Sequence, residues 1–141
     1  YALYVVLGLM MVEPAVFIAR NAKFPYTYFN PASGGISGAY GNYETDYWGV
    51  CGREAVLWLQ DHWPDHTENL WASVQNRWGS DGALVPYLDD DLRILPEGRP
   101  DFGIYTLMDW RRDPWPKYGV IHEVEVDGVV LCQVQKMPEL E

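Results

Sequence analysis

The first eighteen residues constrain this chain more than any other stretch. From Tyr1 to Val12 runs YALYVVLGLMMV, twelve residues without a charge; after Glu13-Pro14 the apolar run resumes to Ala19, and Arg20 is the first cation. As a helix, residues 1–18 would extend about 27 Å, slightly short of the roughly 20 residues that cross a hydrocarbon core. A core helix of a domain in water carries an apolar stripe and a polar face, and this run has no polar face. A secretory signal needs a basic leading region and a small-x-small cleavage site, and neither is present. Pro14 would break a helix in water but is tolerated in one surrounded by lipid. Phe24, Tyr26, Tyr28 and Phe29 follow at once, and half-wet rings of this kind suit the headgroup level. The expectation is a membrane-associated helix over 1–22, the end of a transmembrane segment, followed by one soluble domain over 23–141. Tyr1 in place of Met is what a processed product or a fragment would show. Arg20 and Lys23 beside the exit hint at a cytoplasmic flank.

The remainder has the size of one domain. With 48% hydrophobic residues and 21% charged ones, it can build a core. Ten Lys and Arg stand against 20 Asp and Glu, for a net charge of −10. Residues 61–141 hold 16 of the acids and 7 of the bases. Binding nucleic acid needs clustered cations that displace counterions from phosphates, so a nucleic-acid partner is not expected. The acidic half reads as a solvated surface that promotes solubility. Cys51 and Cys132 form neither a CxxC pair nor a zinc-type set with histidine. Two separate buried thiols are the first expectation. A single bridge is the alternative, in an oxidising compartment.

Periodicity gives a coarse layout. Residues 30–49, with Pro31 and Gly34, Gly35, Gly38 and Gly41, read as a loop. The glycines do not form a phosphate cradle, because no GK[ST] and no strand-GxGxxG accompany them. A helix is predicted from about Val50 to His62, with Ala55, Val56, Trp58 and Leu59 as its apolar stripe, Asp46 as its cap and a possible partner for Arg53, and Pro64 as its stop. Strands are predicted at 70–74, 92–95 and 102–110, then a hairpin of 119–126 and 129–136 closed by Asp127-Gly128. A two-residue turn there would set Val126 opposite Val129 and Val124 opposite Leu131, with Glu123 and Glu125 on the wet face. The order of elements predicts an α+β fold, a small and mostly antiparallel sheet carrying one main packed helix.

A reaction centre is not legible. There is no GxSxG elbow and no HExxH, and the serines near turns lack an evident base. His62 and His66 are four apart but Pro64 separates them, which argues against a shared metal-binding helical face. Asp89, Asp90 and Asp91 lack the alternation of a calcium loop. His122, inside a strand, is expected to pack or to sit at an edge. No catalytic residue, no metal ligand and no cofactor are expected in this chain.

The string FPYTYFNPASGGISGAYGNYETDYWGVCGREAVLWL, residues 24–59, resembles the segment after the last membrane helices of bacterial dolichyl-phosphate-mannose–protein mannosyltransferase-like enzymes, family 39 of the GT-C class. Those proteins tend to show His-Pro-Tyr, Tyr-Phe-Asn, Gly-Gly, and Asp-Tyr-Trp-Gly leading into Arg-Glu-Ala at a helix start. The matching signature residues here are Tyr28, Phe29, Asn30, Gly34, Gly35, Asp46, Tyr47, Trp48, Gly49, Arg53 and Glu54. Phe24 stands where the family usually has His. PDFGIYTLMDWRR and DGVVLCQVQK are similar to the family's later strand and closing hairpin, and residues 60–100 match least. The resemblance implies a membrane enzyme that moves a sugar from a polyprenyl-phosphate donor on the non-cytoplasmic side. Its catalytic acid would lie in an early external loop, with no counterpart here. This chain would then be a membrane-attached C-terminal domain with a scaffolding or acceptor-side role, partnered by membrane lipid and by the rest of the parent protein. That placement opposes the hint from Arg20 and Lys23, and the motif outweighs two charges. The alternatives are a small membrane-anchored accessory subunit of a larger complex, or a sugar-binding module whose exposed Trp rings stack on sugars.

Overall fold

The computed structural model of the chain describes residues 1–46, 49–62, 70–75, 84–88, 92–94, 102–106 and 119–136. The apolar N-terminal run is a single helix, α1, Ala2–Arg20, and Pro14 lies inside it. Phe17 is its one buried residue. Leu3, Tyr4, Val5, Leu9, Met10 and Met11 are 61 to 75% exposed. By length and composition α1 is able to cross a membrane. Its 19 residues would extend about 28 Å, close to the roughly 30 Å hydrocarbon thickness.

The stretch predicted as a loop holds more regular structure than expected. Pro31–Ser33 form a 3-10 turn and Gly35–Ala39 a short helix, α2. Pro31 opens its turn, where a missing N–H costs nothing. Gly34 and Gly35 take φ of +82° and +66°, a left-handed conformation that glycine reaches without strain. This reversal lets α2 begin directly after the 3-10 turn. Gly38 meets the turn so closely that a Cβ on it would lie 2.1 Å from the Ser33 carbonyl oxygen.

The helix predicted from Val50 forms as α3, Cys51–His62. Cys51, Ala55, Val56 and Leu59, one stripe at helical spacing, are fully buried. They join Phe102, Ile104, Val124, Val126, Leu131 and Val134 in one core. Leu84 closes that core against Gly52, where an added Cβ would come within 2.9 Å of it.

Five strands make one sheet: β1 Leu70–Gln75, β2 Leu92–Ile94, β3 Phe102–Thr106, β4 Gly119–Val126 and β5 Val129–Lys136. Their order is β2-β1-β3-β5-β4. The longer ladders, β3 with β5 and β4 with β5, are antiparallel; β1 runs parallel to both β2 and β3. With α3 packed across β3, β5 and β4, the fold is α+β. The last four residues of the strand predicted at 102–110 lie outside the described residues, as do Asp89, Asp90, Asp91 and His66.

Asp127 and Gly128 both have positive φ, 46° and 78°, as a type I′ turn demands. Val126 pairs with Val129, as expected. Val124 does not pair with Leu131: its partner is Cys132, and Glu125 faces Val130. Leu131 is thus an extra residue on β5, a bulge, and Ile121 is the corresponding one on β4. The bulge makes Leu131 and Cys132 both buried although they are consecutive. It also brings Cys132 to α3, where it is disulfide-bonded to Cys51 with 5.8 Å between the Cα atoms. The first expectation, two separate thiols, is therefore replaced by a bridge that ties the helix to the sheet.

Candidate functional site

The signature stretch folds into a collar around the start of α3 and the end of α1. The Tyr28 hydroxyl donates to a Glu13 carboxylate oxygen, and its ring meets Phe17 edge-on with centroids 5.4 Å apart. Phe29 stacks on Tyr43 at 6.1 Å. Asn30 caps the 3-10 turn: its Oδ1 accepts from the Ser33 N–H at 3.1 Å, and its carbonyl accepts from the Ser33 hydroxyl at 2.7 Å. Phe24 is in the core rather than at a wet surface, and Thr27 beside it donates its hydroxyl to the Phe24 carbonyl at 2.7 Å.

Asp46 is fully buried and occupies the N-terminus of α3 as expected. Its Oδ1 accepts from the Val50 N–H at 3.0 Å and from the Tyr26 hydroxyl at 2.7 Å, and its Oδ2 accepts from the Cys51 N–H at 3.0 Å. Gly49, at φ 64°, turns the chain between cap and helix. Two orphan amides of the first turn are thereby satisfied by a carboxylate that the helix dipole also favours. Burial, then the hydrogen bond to Asp46 and its charge, hold the Tyr26 phenol far above its ordinary pKa. It therefore remains a donor through the physiological range.

The expected pairing of Asp46 with Arg53 does not form. Arg53 instead pairs with Glu54, its guanidinium 5.4 Å from the centre of the Tyr87 ring. Asp46 already has three donors, and Arg53 lies one turn along the helix on a more exposed face. Glu54 also receives Lys23, so one mostly shielded carboxylate bridges two cations, one of them from the segment after α1. Gln60 adds a hydrogen bond to the Tyr87 carbonyl at 2.9 Å. Lys23, Glu54 and Arg53 thus fasten the exit of α1 to α3. Exposed pairs of this kind contribute little individually, but they fix direction.

Asp46, Cys51 and Cys132 place their ligand atoms within 4.8 Å of one another, all buried. The two sulfurs are bonded to each other, and both carboxylate oxygens already accept hydrogen bonds. This donor set is committed to structure and does not suit a metal ion.

A second cluster lies where α3 meets the edge strand β4. The rings of His62 and His122 both stack on Trp58, at 4.3 and 4.2 Å between centroids. Burial and then the neighbouring His62 lower the pKa of His122, while Glu123 opposes them. A histidine lowered in the folded state stabilises the fold above its unfolded pKa, about 6.5, and that contribution is lost as pH falls through the folded value. We expect the melting temperature to drop less between pH 7.5 and 5 in His122→Gln than in the parent chain. Equal drops, measured by circular dichroism, would remove His122 from the account.

Among the described signature residues, Tyr28, Phe29, Asn30, Gly34, Gly35, Asp46, Gly49, Arg53 and Glu54 lie in one continuous collar, and each has a structural task. Tyr47 and Trp48 lie outside the described residues. Sequence reasoning missed Lys23 as the partner of Glu54, Tyr26 as the partner of Asp46, and Tyr87 beneath Arg53. None of these pairings carries a local sequence signal: Tyr26 and Asp46 stand 20 residues apart, and Lys23 and Glu54 stand 31 apart. Comparison of the chain with protein-family models, curated proteins and solved structures finds no match.

Proposed function

We propose that this chain is a membrane-attached, non-catalytic domain on the non-cytoplasmic side of a membrane, belonging to a polyprenyl-phosphate-sugar-dependent glycosyltransferase in which it scaffolds the acceptor side. The observation that carries the membrane part is α1, apolar on all sides from Ala2 to Val12 and unburied except at Phe17. A soluble fold would leave such a surface in water at a cost of about 25 cal/mol per Å². The side of the membrane is supported by the Cys51–Cys132 bond, since disulfides persist in oxidising compartments. The glycosyltransferase part rests on the resemblance in residues 24–59. Consistent with a scaffold, the described residues of the signature cap, turn and pin the chain.

Two measurements test this. The full chain should require detergent and float with vesicles, whereas a chain lacking residues 1–22 should not. Unchanged partitioning after the deletion would refute membrane attachment. Purified full chain should also leave a polyprenyl-phosphate sugar intact, and turnover by this chain alone would overturn the non-catalytic reading.

A further inference from the structure

The contacts of α1 divide it unequally. From Ala2 to Val12 no side chain is buried, and every large apolar one is exposed. At Glu13 the protein begins to touch the helix: Tyr28 hydrogen-bonds Glu13 and packs on Phe17, and Phe17 and Phe24 belong to the domain core. The segment doing this, Phe24–Asn30, is irregular chain with a three-residue 3-10 turn at Pro25–Thr27. Pro25, Tyr26 and Asn30 on it are exposed. Irregular backbone at a lipid-facing surface is excluded from hydrocarbon, because its amides and carbonyls would have no partner there. Glu13 itself, the one charge between Tyr1 and Arg20, is costly in hydrocarbon.

We propose that the bilayer boundary crosses α1 at Glu13 rather than at Arg20, and that the Phe24–Asn30 collar sits on the lipid headgroups. This inference rests on the membrane reading above and adds where the membrane ends. Seven residues, about 10 Å of helix, then stand outside the hydrocarbon, within the headgroup layer, and the stretch from Ala2 to Val12, about 16 Å, reaches through roughly half of the hydrocarbon instead of the whole of it. Tyr28 is the hinge of the arrangement: its hydroxyl holds Glu13, its ring covers Phe17, and phenols favour that level. Tyr43, 62% exposed and stacked on Phe29, extends the aromatic surface beside it. The occupant of the collar is a lipid surface, because the helix immediately below it, Ala2 to Val12, is apolar all round as a membrane span is.

The test is depth measurement on the full chain in phosphatidylcholine–phosphatidylglycerol vesicles, with a spin label on a single cysteine introduced at Val6, Met10, Val16 or Ala22 and the native disulfide left intact. Accessibility to oxygen and to a water-soluble nickel complex gives each label's depth. Val6 and Met10 should lie in hydrocarbon, and Val16 and Ala22 at the phosphate level or outside it. If Val16 instead lies about 6 Å inside the hydrocarbon, where a boundary at Arg20 would put it, the boundary proposal is wrong while membrane attachment stands. If Val6 and Met10 are as nickel-accessible as a label at Asp127 in the β4–β5 turn, both readings fall. In Glu13→Leu with Tyr28→Phe, the label at Val16 should move deeper, towards the hydrocarbon; an unchanged depth would show that this pair does not set the boundary.

Discussion

Replacing Cys51 and Cys132 together by alanine is expected to lower the unfolding free energy of the folded domain by about 4 kcal/mol. The bridge closes a loop between positions 81 apart. Chain-entropy reasoning assigns a loop of that length about 4.5 kcal/mol at 25 °C, near the top of an observed range of roughly 0 to 5. Both residues are fully buried where α3 meets β5, so the link also fixes the helix on the sheet. Small domains have only about 5–15 kcal/mol in total, and the loss would be a large part of it. Chemical denaturation in detergent, with and without a reductant, measures the effect. The reduced parent chain should fall to about the level of the double alanine variant, and the variant should not respond to reductant. A difference below about 0.5 kcal/mol, the size usual for surface changes, would show that the bridge does not constrain the fold. Serine in place of alanine should be worse, because it buries hydroxyls without assigned partners.

That bridge marks where the sequence stopped being legible. The hairpin was readable because Asp127-Gly128 carries its conformational requirement locally: two consecutive positive φ values, which few residue pairs accept. The α3 stripe is readable because Ala55, Val56 and Leu59 repeat at the period of a helix; Trp58, counted with them, is only partly buried, and Cys51 completes the buried face. Neither signal contains distance between α3 and β5, so the partner of Cys51 could not be chosen. The bulge at Leu131, which presents Cys132 to the helix, has no mark of its own, since a run such as VVLCQV fits either register. The same reasoning explains Arg53, whose partner depended on Lys23 and Tyr87 arriving from other segments. In the collar, glycine permits turns, but permission does not say which turn. Gly34 and Gly35 reverse the chain into α2 where a loop was expected. The parallel pairing of β1 with β2 and β3 is a long-range property that no alternation of residues encodes.

Asp46→Ala is expected to cost about 3 kcal/mol. A helix cap alone contributes about 0.5–2 kcal/mol. Asp46 does more than cap, because it accepts three hydrogen bonds from within the fold while fully buried. Alanine would leave the Val50 and Cys51 amides and the Tyr26 hydroxyl without their acceptor. Unsatisfied buried groups cost about 1–3 kcal/mol each, but Tyr26 is 39% exposed and its hydroxyl recovers part of its bond from water. The cap loss and the Cys51 amide, which lies in the buried part of the site, therefore set most of the total. Asn should be milder than Ala, since one oxygen remains to accept from the helix while the charge that favours the N-terminus is gone. Tyr26→Phe alone should cost about 1 kcal/mol, the net value of an ordinary hydrogen bond. The double variant Asp46→Ala, Tyr26→Phe should then cost less than the two singles added together, because each removes the other's partner. Chemical denaturation of the four chains measures this coupling. Strict additivity would mean that the Tyr26–Asp46 bond contributes nothing. A single-variant loss below about 0.5 kcal/mol for Asp46→Ala would remove it as the anchor of the collar and leave its carboxylate to be explained by something it binds.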